Sequence, residues 1–210
     1  MFPSKRPEER KADFVIHALS LAFILPVSGL FIYWAWERGT MPLILATIGY
    51  AIAALSSISV SFAYHLLPRH DLRSVLRRWD HAAIYGVIAG TFSPLLIMAG
   101  TQSAHAILVV IWALALFGFI FKLAASDMDP RWSVFSYLGL GALGLLAMPD
   151  FWRELPVLTT VAIGAGALFY TIGTWFYRQK ERAFRYPIWH TWGTLGGLSL
   201  CASIGIALAG

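Results

Sequence analysis

The chain has 210 residues, of which 58% are apolar and 13% charged, and its mean hydropathy is +0.67. Soluble domains carry about 45–50% apolar and about 25% charged residues, so this composition excludes a soluble globular protein and indicates a membrane protein. The net charge of +5 and isoelectric point near 9.6 do not imply a nucleic-acid partner, because the basic residues lie in short loops between apolar runs and serve to orient the chain in a bilayer.

Runs long enough to cross a hydrocarbon core of about 30 Å predict helical spans at 14–36, 41–67, 81–100, 104–125, 132–149, 156–177 and 188–209. The expectation is therefore one all-α domain over residues 1–210, a bundle of seven transmembrane helices in a multi-pass protein of the cell membrane. The runs are continuous rather than alternating, which excludes a closed β-barrel.

The first span follows a basic segment, but it is longer than a signal-peptide core of about 7–15 residues and lacks a small-x-small exit, so it is read as retained. The second closes on Ser61-x-x-x-His65 and stops at Pro68. A basic loop then leads to Asp80-His81 at the opening of the third, where Asp80 is read either as the N-cap or as a functional carboxylate. The third span ends at Gly100, and His105 stands alone at the start of the fourth. The Asp127-Met-Asp-Pro130 turn, Pro149-Asp150 and Tyr186-Pro187 punctuate the later spans. Gly139-Leu-Gly141, Gly164-Ala-Gly166 and Gly193 to Gly197 are read as sites of close helix approach. Cys201, the single cysteine, cannot form an intrachain disulfide and is read as a small buried hydrophobe.

Basic residues decide the orientation. Fourteen of sixteen fall in the N-terminal tail and in the second, fourth and sixth loops, whereas only Arg38 and Arg153 fall on the other side. The positive-inside rule then places the N-terminus in the cytoplasm and the C-terminus outside. Trp34, Trp36, Trp79, Trp132, Trp152, Trp175 and Trp189, at the ends of the runs, fit interfacial anchors.

With this orientation His17, His65, Asp80, His81 and His190 sit at one depth near the cytoplasmic face. Ionisable groups inside spans face the bundle interior, since a charged group facing lipid costs at least about 2.5 kcal/mol. Ser61 and His65 are at i, i+4 and share a helix face. A hydroxyl, two or three imidazoles and a carboxylate around one cavity can hold Zn²⁺ and a polarised water, with Asp80 as acceptor from an imidazole N–H or as the base for the water proton. Read singly, His17 suits packing or hydrogen bonding better than ligation, and His70 belongs to the solvated basic loop.

Taken together, Ser61-x-x-x-His65, Asp80-His81, Ala89-Gly-Thr-Phe-Ser-Pro94, Gly166-Ala-Leu-Phe-Tyr170, Trp189-His190 and the opening Ala12-Asp13-Phe-Val-Ile-His17 resemble the bacterial hemolysin III family. That family is grouped with the progestin and adiponectin receptors and, more distantly, the alkaline ceramidases. The resemblance implies seven helices with the N-terminus inside and a zinc site near the cytoplasmic face, built from one His of the second span and a His-x-x-x-His pair at the seventh, with Ser and Asp near a bound water. Carried over, His65 and His190 are metal ligands, Ser61 and Asp80 catalytic residues, and Tyr186 stands where the other His of the pair is expected. A neutral tyrosine is a poor zinc ligand, so His17, Asp80 or water is expected to complete the shell.

Two functions follow. One is a metal-dependent hydrolase of a lipid or lipid-like amide. The other is a non-enzymatic membrane protein, either a haemolytic pore-former or a receptor-like regulator of membrane lipid state. A pore should carry a polar stripe through the membrane, and here the ionisable groups stop in one layer.

Overall fold

The computed structural model describes residues 2–124 and 130–210. The described residues form eight helices: α1 (Pro7–Glu37), α2 (Met41–Leu66), α3 (Arg73–Ala99), α4 (Gln102–Ala124), α5 (Pro130–Leu145), α6 (Met148–Glu154), α7 (Val157–Tyr177) and α8 (Arg185–Ala209). Seven spans are long and apolar enough to cross a membrane, with Trp132–Glu154 counted as one of them, so the chain is a multi-pass membrane protein.

The spans match the apolar runs, but the helices extend further at their polar ends. Pro7 opens α1, with Glu8 and Glu9 in its first turn, where fixed φ and negative charge both suit a helix start. The run expected from 14 is therefore already helical at Asp13. Likewise α3 begins at Arg73, which places Asp80 about two turns inside the helix and corrects its reading as an N-cap. Pro149 sits in the first turn of α6 after a break at Leu146 and Ala147, so it opens a short helix rather than ending a long one. The expected turn at Asp127 to Pro130 falls largely outside the described residues.

α3 is the axis of the bundle. It packs against α2, α4, α5, α6 and α8, and α8 in turn joins α7 to α1. Every residue from Ala89 to Leu96 is buried, which accounts for the Ala-Gly-Thr-Phe-Ser-Pro stretch as packing surface. Within it Ser93 Oγ accepts the indole N–H of Trp112 at 2.9 Å and donates to the Ala89 carbonyl at 2.8 Å. Of the glycine clusters, Gly166 and Gly196 meet the expectation of close approach. A Cβ on Gly166 would lie 2.9 Å from Leu200 Cγ, and one on Gly196 would lie 2.7 Å from the Tyr170 ring. Gly139, Gly141, Gly164 and Gly193 face open space instead, so they permit no such contact.

The N-terminal segment and the α2–α3 loop lie at one end of the bundle. The Phe2 ring packs edge-on against His70 with centroids 4.9 Å apart, and the Arg73 guanidinium lies 5.2 Å from the Phe2 centroid. The α7–α8 loop joins the same end, where the Phe184 N–H donates to Glu9 Oε1 at 3.0 Å. Arg38 closes the opposite end by donating to the Leu208 carbonyl at 2.9 and 3.1 Å. If the positive-inside reading is right, a reporter fused between Arg69 and Arg78 should report the cytoplasm and one after Gly210 the outside. Export-dependent reporter activity from the first fusion would invert the orientation.

Candidate functional site

The end that carries the N-terminus also carries the polar layer. His65 lies in the last turn of α2, His190 in the second turn of α8, and His17 and Ser61 further along α1 and α2. All of them, with Asp80 and Tyr186, line one cavity of about 1270 Å³. Its walls deepen into apolar side chains, among them Ile24, Ala54, Phe92, Leu145, Ile163 and Leu200.

The three imidazoles form a compact cluster. Ring centroids are 4.5 Å apart for His65 and His190, 4.6 Å for His17 and His190, and 6.2 Å for His17 and His65. Their hydrogen bonds differ. His17 Nδ1 lies 2.7 Å from the Asp13 carbonyl, which can only accept, so Nδ1–H donates; Nε2 of the neutral ring then accepts from Ser61 Oγ at 3.1 Å. Both nitrogens of His17 are thus engaged within the chain. His65 is 3% exposed and its Nδ1 is buried without a hydrogen-bond partner. Such a group costs stability unless something satisfies it.

Asp13, which no single motif in the sequence marks as a site residue, joins this cluster. Its side chain is fully buried behind the cavity wall. Oδ1 accepts from His190 Nδ1 at 2.8 Å and Oδ2 accepts from Ser4 Oγ at 2.7 Å. One donor atom each from Asp13, His65 and His190 lies within 4.8 Å of the others, whereas Asp80 and His17 do not join this group. Two imidazoles and a carboxylate are the donor set of several catalytic zinc sites, and the orphaned His65 nitrogen is what an added cation would satisfy. The residues present therefore fit the group that the resemblance implies.

Asp80 lies beside Ser61 and within electrostatic reach of His190, across the cavity from α1. Tyr186 is one turn before His190 on α8, with its ring 4.9 Å from that of His65 and stacked at 6.5 Å on His190. It is packed on the site although it brings no imidazole. His81 lines the same cavity within electrostatic reach of His65, Lys122 and Arg77, and its carbonyl accepts from the Tyr137 hydroxyl at 2.9 Å. The signal for Asp13 was its i, i+4 spacing to His17. That spacing has meaning only on a helix that starts before residue 13.

Comparison with known proteins matches residues 9–195 to a family model described as Haemolysin-III related. Over 192 residues the chain is 29% identical to a protein named Hemolysin-3 homolog from Bacillus subtilis (strain 168), covering 90% of this chain and 89% of that one. It is 27% identical over 194 residues to a protein named Hemolysin-3 from Bacillus cereus, covering 92% of this chain and 88% of the other.

Proposed function

Since this chain belongs to the haemolysin-III-related family, we propose that it is a metal-dependent membrane hydrolase acting on a lipid or lipid-like amide, with its site at the end of the bundle that carries the N-terminus. The observation that carries the reading is the convergence of Asp13, His65 and His190, two of which line the cavity, with one His65 nitrogen buried and unpartnered among the described residues. His65 and His190 are the nitrogen donors of the site, and Asp13 is its carboxylate donor. Ser4 fixes the second oxygen of Asp13, as outer partners of metal ligands commonly do. Zn²⁺ bound there would polarise a carbonyl and lower the pKa of a water to about 7.

The remaining steps belong to the protein. Ser61 and His17 form a hydrogen-bonded pair that fixes the wall facing α3. Asp80 takes the proton of the attacking water and returns it to the leaving nitrogen, so that one water is consumed and an acid and an amine are released. The apolar depth of the cavity holds the acyl chain out of water, and the polar layer meets it where the chain ends.

Protein purified in mild detergent is expected to carry about one zinc per chain, and chelation should lower its thermal midpoint, since a ligand that binds only the folded state stabilises it by mass action. The same shift should be absent in His65→Ala. Metal-free protein whose stability ignores both chelator and His65→Ala would leave the non-enzymatic reading in front.

A further inference from the structure

We infer that the cavity takes a single-chain lipid with an anionic, phosphate- or carboxylate-bearing headgroup, held at its mouth by Arg77 and Arg185. The inference deepens the hydrolase reading and rests on it for the scissile linkage, but the headgroup assignment stands on separate observations.

The first observation is charge. Arg73, Arg77, Arg78, Lys122 and Arg185 all line the cavity, and among its described lining residues the only carboxylate is Asp80. Topology accounts for the side of the membrane on which Lys122 lies, in the last turn of α4, but not for its burial: it is 7% exposed, with Nζ donating to Ser133 Oγ at 2.7 Å. Positive charge is therefore placed on the cavity from α3, α4 and α8 together.

The second observation is hydrogen-bonding capacity. Arg73 is largely spent on the C-terminal end of α2, donating to the carbonyls of Tyr64 and Leu67. Arg185 is not. Its guanidinium is held between the rings of Tyr177 and Tyr186, at 4.8 and 4.5 Å from their centroids, and its Nε is buried without a hydrogen-bond partner. Ring packing fixes the plane of a guanidinium and leaves its N–H edge to an acceptor, the arrangement suited to bidentate capture of a carboxylate or phosphate. Arg77 likewise makes no hydrogen bond or ion pair among the described residues, yet it acts electrostatically on Tyr64, His81, Lys122 and Tyr177 around the mouth.

The third observation is order along the bundle axis. Arg77 precedes Asp80 by about one turn of α3, and Arg185 precedes His190 by a little more than one turn of α8. The cationic mouth, the Asp13-His65-His190 layer and the apolar depth thus follow one another inward. A lipid with its headgroup at the mouth and its chain in the depth brings the bond between them to the polar layer. A neutral headgroup leaves the two arginines without an anion to bind, and a zwitterionic one offers them a phosphate whose charge is offset by its own cation.

The test measures binding to the purified full chain in nonionic detergent, with metal and after chelation, by the fluorescence of its tryptophans. The probes are a monoacyl glycerol phosphate, the corresponding monoacyl phosphocholine, the neutral monoacylglycerol and inorganic phosphate. The anionic lipid is expected to bind at least about tenfold more tightly than the zwitterionic one, the effect of roughly one charge-assisted hydrogen bond. Arg77→Gln with Arg185→Gln should abolish that preference without weakening monoacylglycerol binding, and Arg77→Lys with Arg185→Lys should restore part of it. Retained neutral-lipid binding also shows that the glutamine variant is folded. Equal affinity for the anionic and zwitterionic lipids, or a preference indifferent to both arginines, overturns the inference. Inorganic phosphate binding as tightly as the anionic lipid makes the ligand a free anion and overturns it as well. A preference that survives chelation in protein that hydrolyses nothing refutes the hydrolase reading alone.

Discussion

Asp13→Asn should lower zinc affinity by more than the roughly 10–100-fold that follows loss of an outer hydrogen-bond partner. The amide keeps an oxygen that can accept from His190 Nδ1, and its NH2 can donate to Ser4 Oγ where the carboxylate accepted from it, so both contacts of the buried side chain can persist. What disappears is the negative charge of the third donor, which leaves two imidazoles to hold the ion. Equilibrium competition against a chelator of known affinity measures the effect, and a loss within 10–100-fold would return Asp13 to the role of an outer partner. The same residue set supplies a rescue. Tyr186 sits one turn before His190, its ring 4.9 Å from His65, so Tyr186→His in the Asp13→Asn background brings a third imidazole to the cluster. Recovery of zinc affinity in the double variant ties both positions to one ion, and a double variant as weak as Asp13→Asn would separate them.

What the sequence made legible, and what it hid, divides along a physical line. Span number and rough placement follow from hydropathy, because a bilayer demands about 20 apolar residues per crossing and the composition leaves room for little else. His65, His190, Ser61 and Asp80 were legible because polar residues at the edge of such runs are costly and so stand out. Asp13 was hidden for the converse reason. It belongs to a charged stretch, Glu8 to Asp13, that reads as a solvated tail until Pro7 is recognised as a helix start. Once α1 begins there, Asp13 and His17 share one face, and the carboxylate is carried into the bundle.

The start of α3 shows the same effect. Arg73 to Trp79 are too polar to register as part of a span, so hydropathy alone starts the span at residue 81 and gives Asp80 the look of a cap. A helix running from Arg73 instead projects Arg77 and Asp80 from adjacent turns, and both line the cavity. Periodicity within each helix could not have shown which faces meet. The Phe2 contact with His70 and the Ser4 bond to Asp13 are fixed by tertiary packing alone.

Asp80→Asn should reduce hydrolysis of an N-acyl lipid amide by about 10²–10⁴-fold while leaving zinc content unchanged, since that range is what a positioned general base contributes. The two halves of this outcome rest on different geometry. Asp80 stands outside the group of donor atoms formed by Asp13, His65 and His190, so its charge is not needed to hold the ion. It stands beside Ser61 and within electrostatic reach of His190, on the cavity wall facing those ligands, where a water between wall and ligands could surrender its proton. Because the residue lies inside α3 rather than at its end, asparagine costs only the small propensity difference of a helix interior and removes no cap. A stability loss therefore should not accompany the loss of turnover, and the thermal midpoint of the variant in detergent serves as the control. Zinc content that falls with Asp80→Asn would make Asp80 a ligand in place of Asp13. Turnover that persists at the wild-type rate would remove it from the chemistry and pass the role of base to another group on that wall.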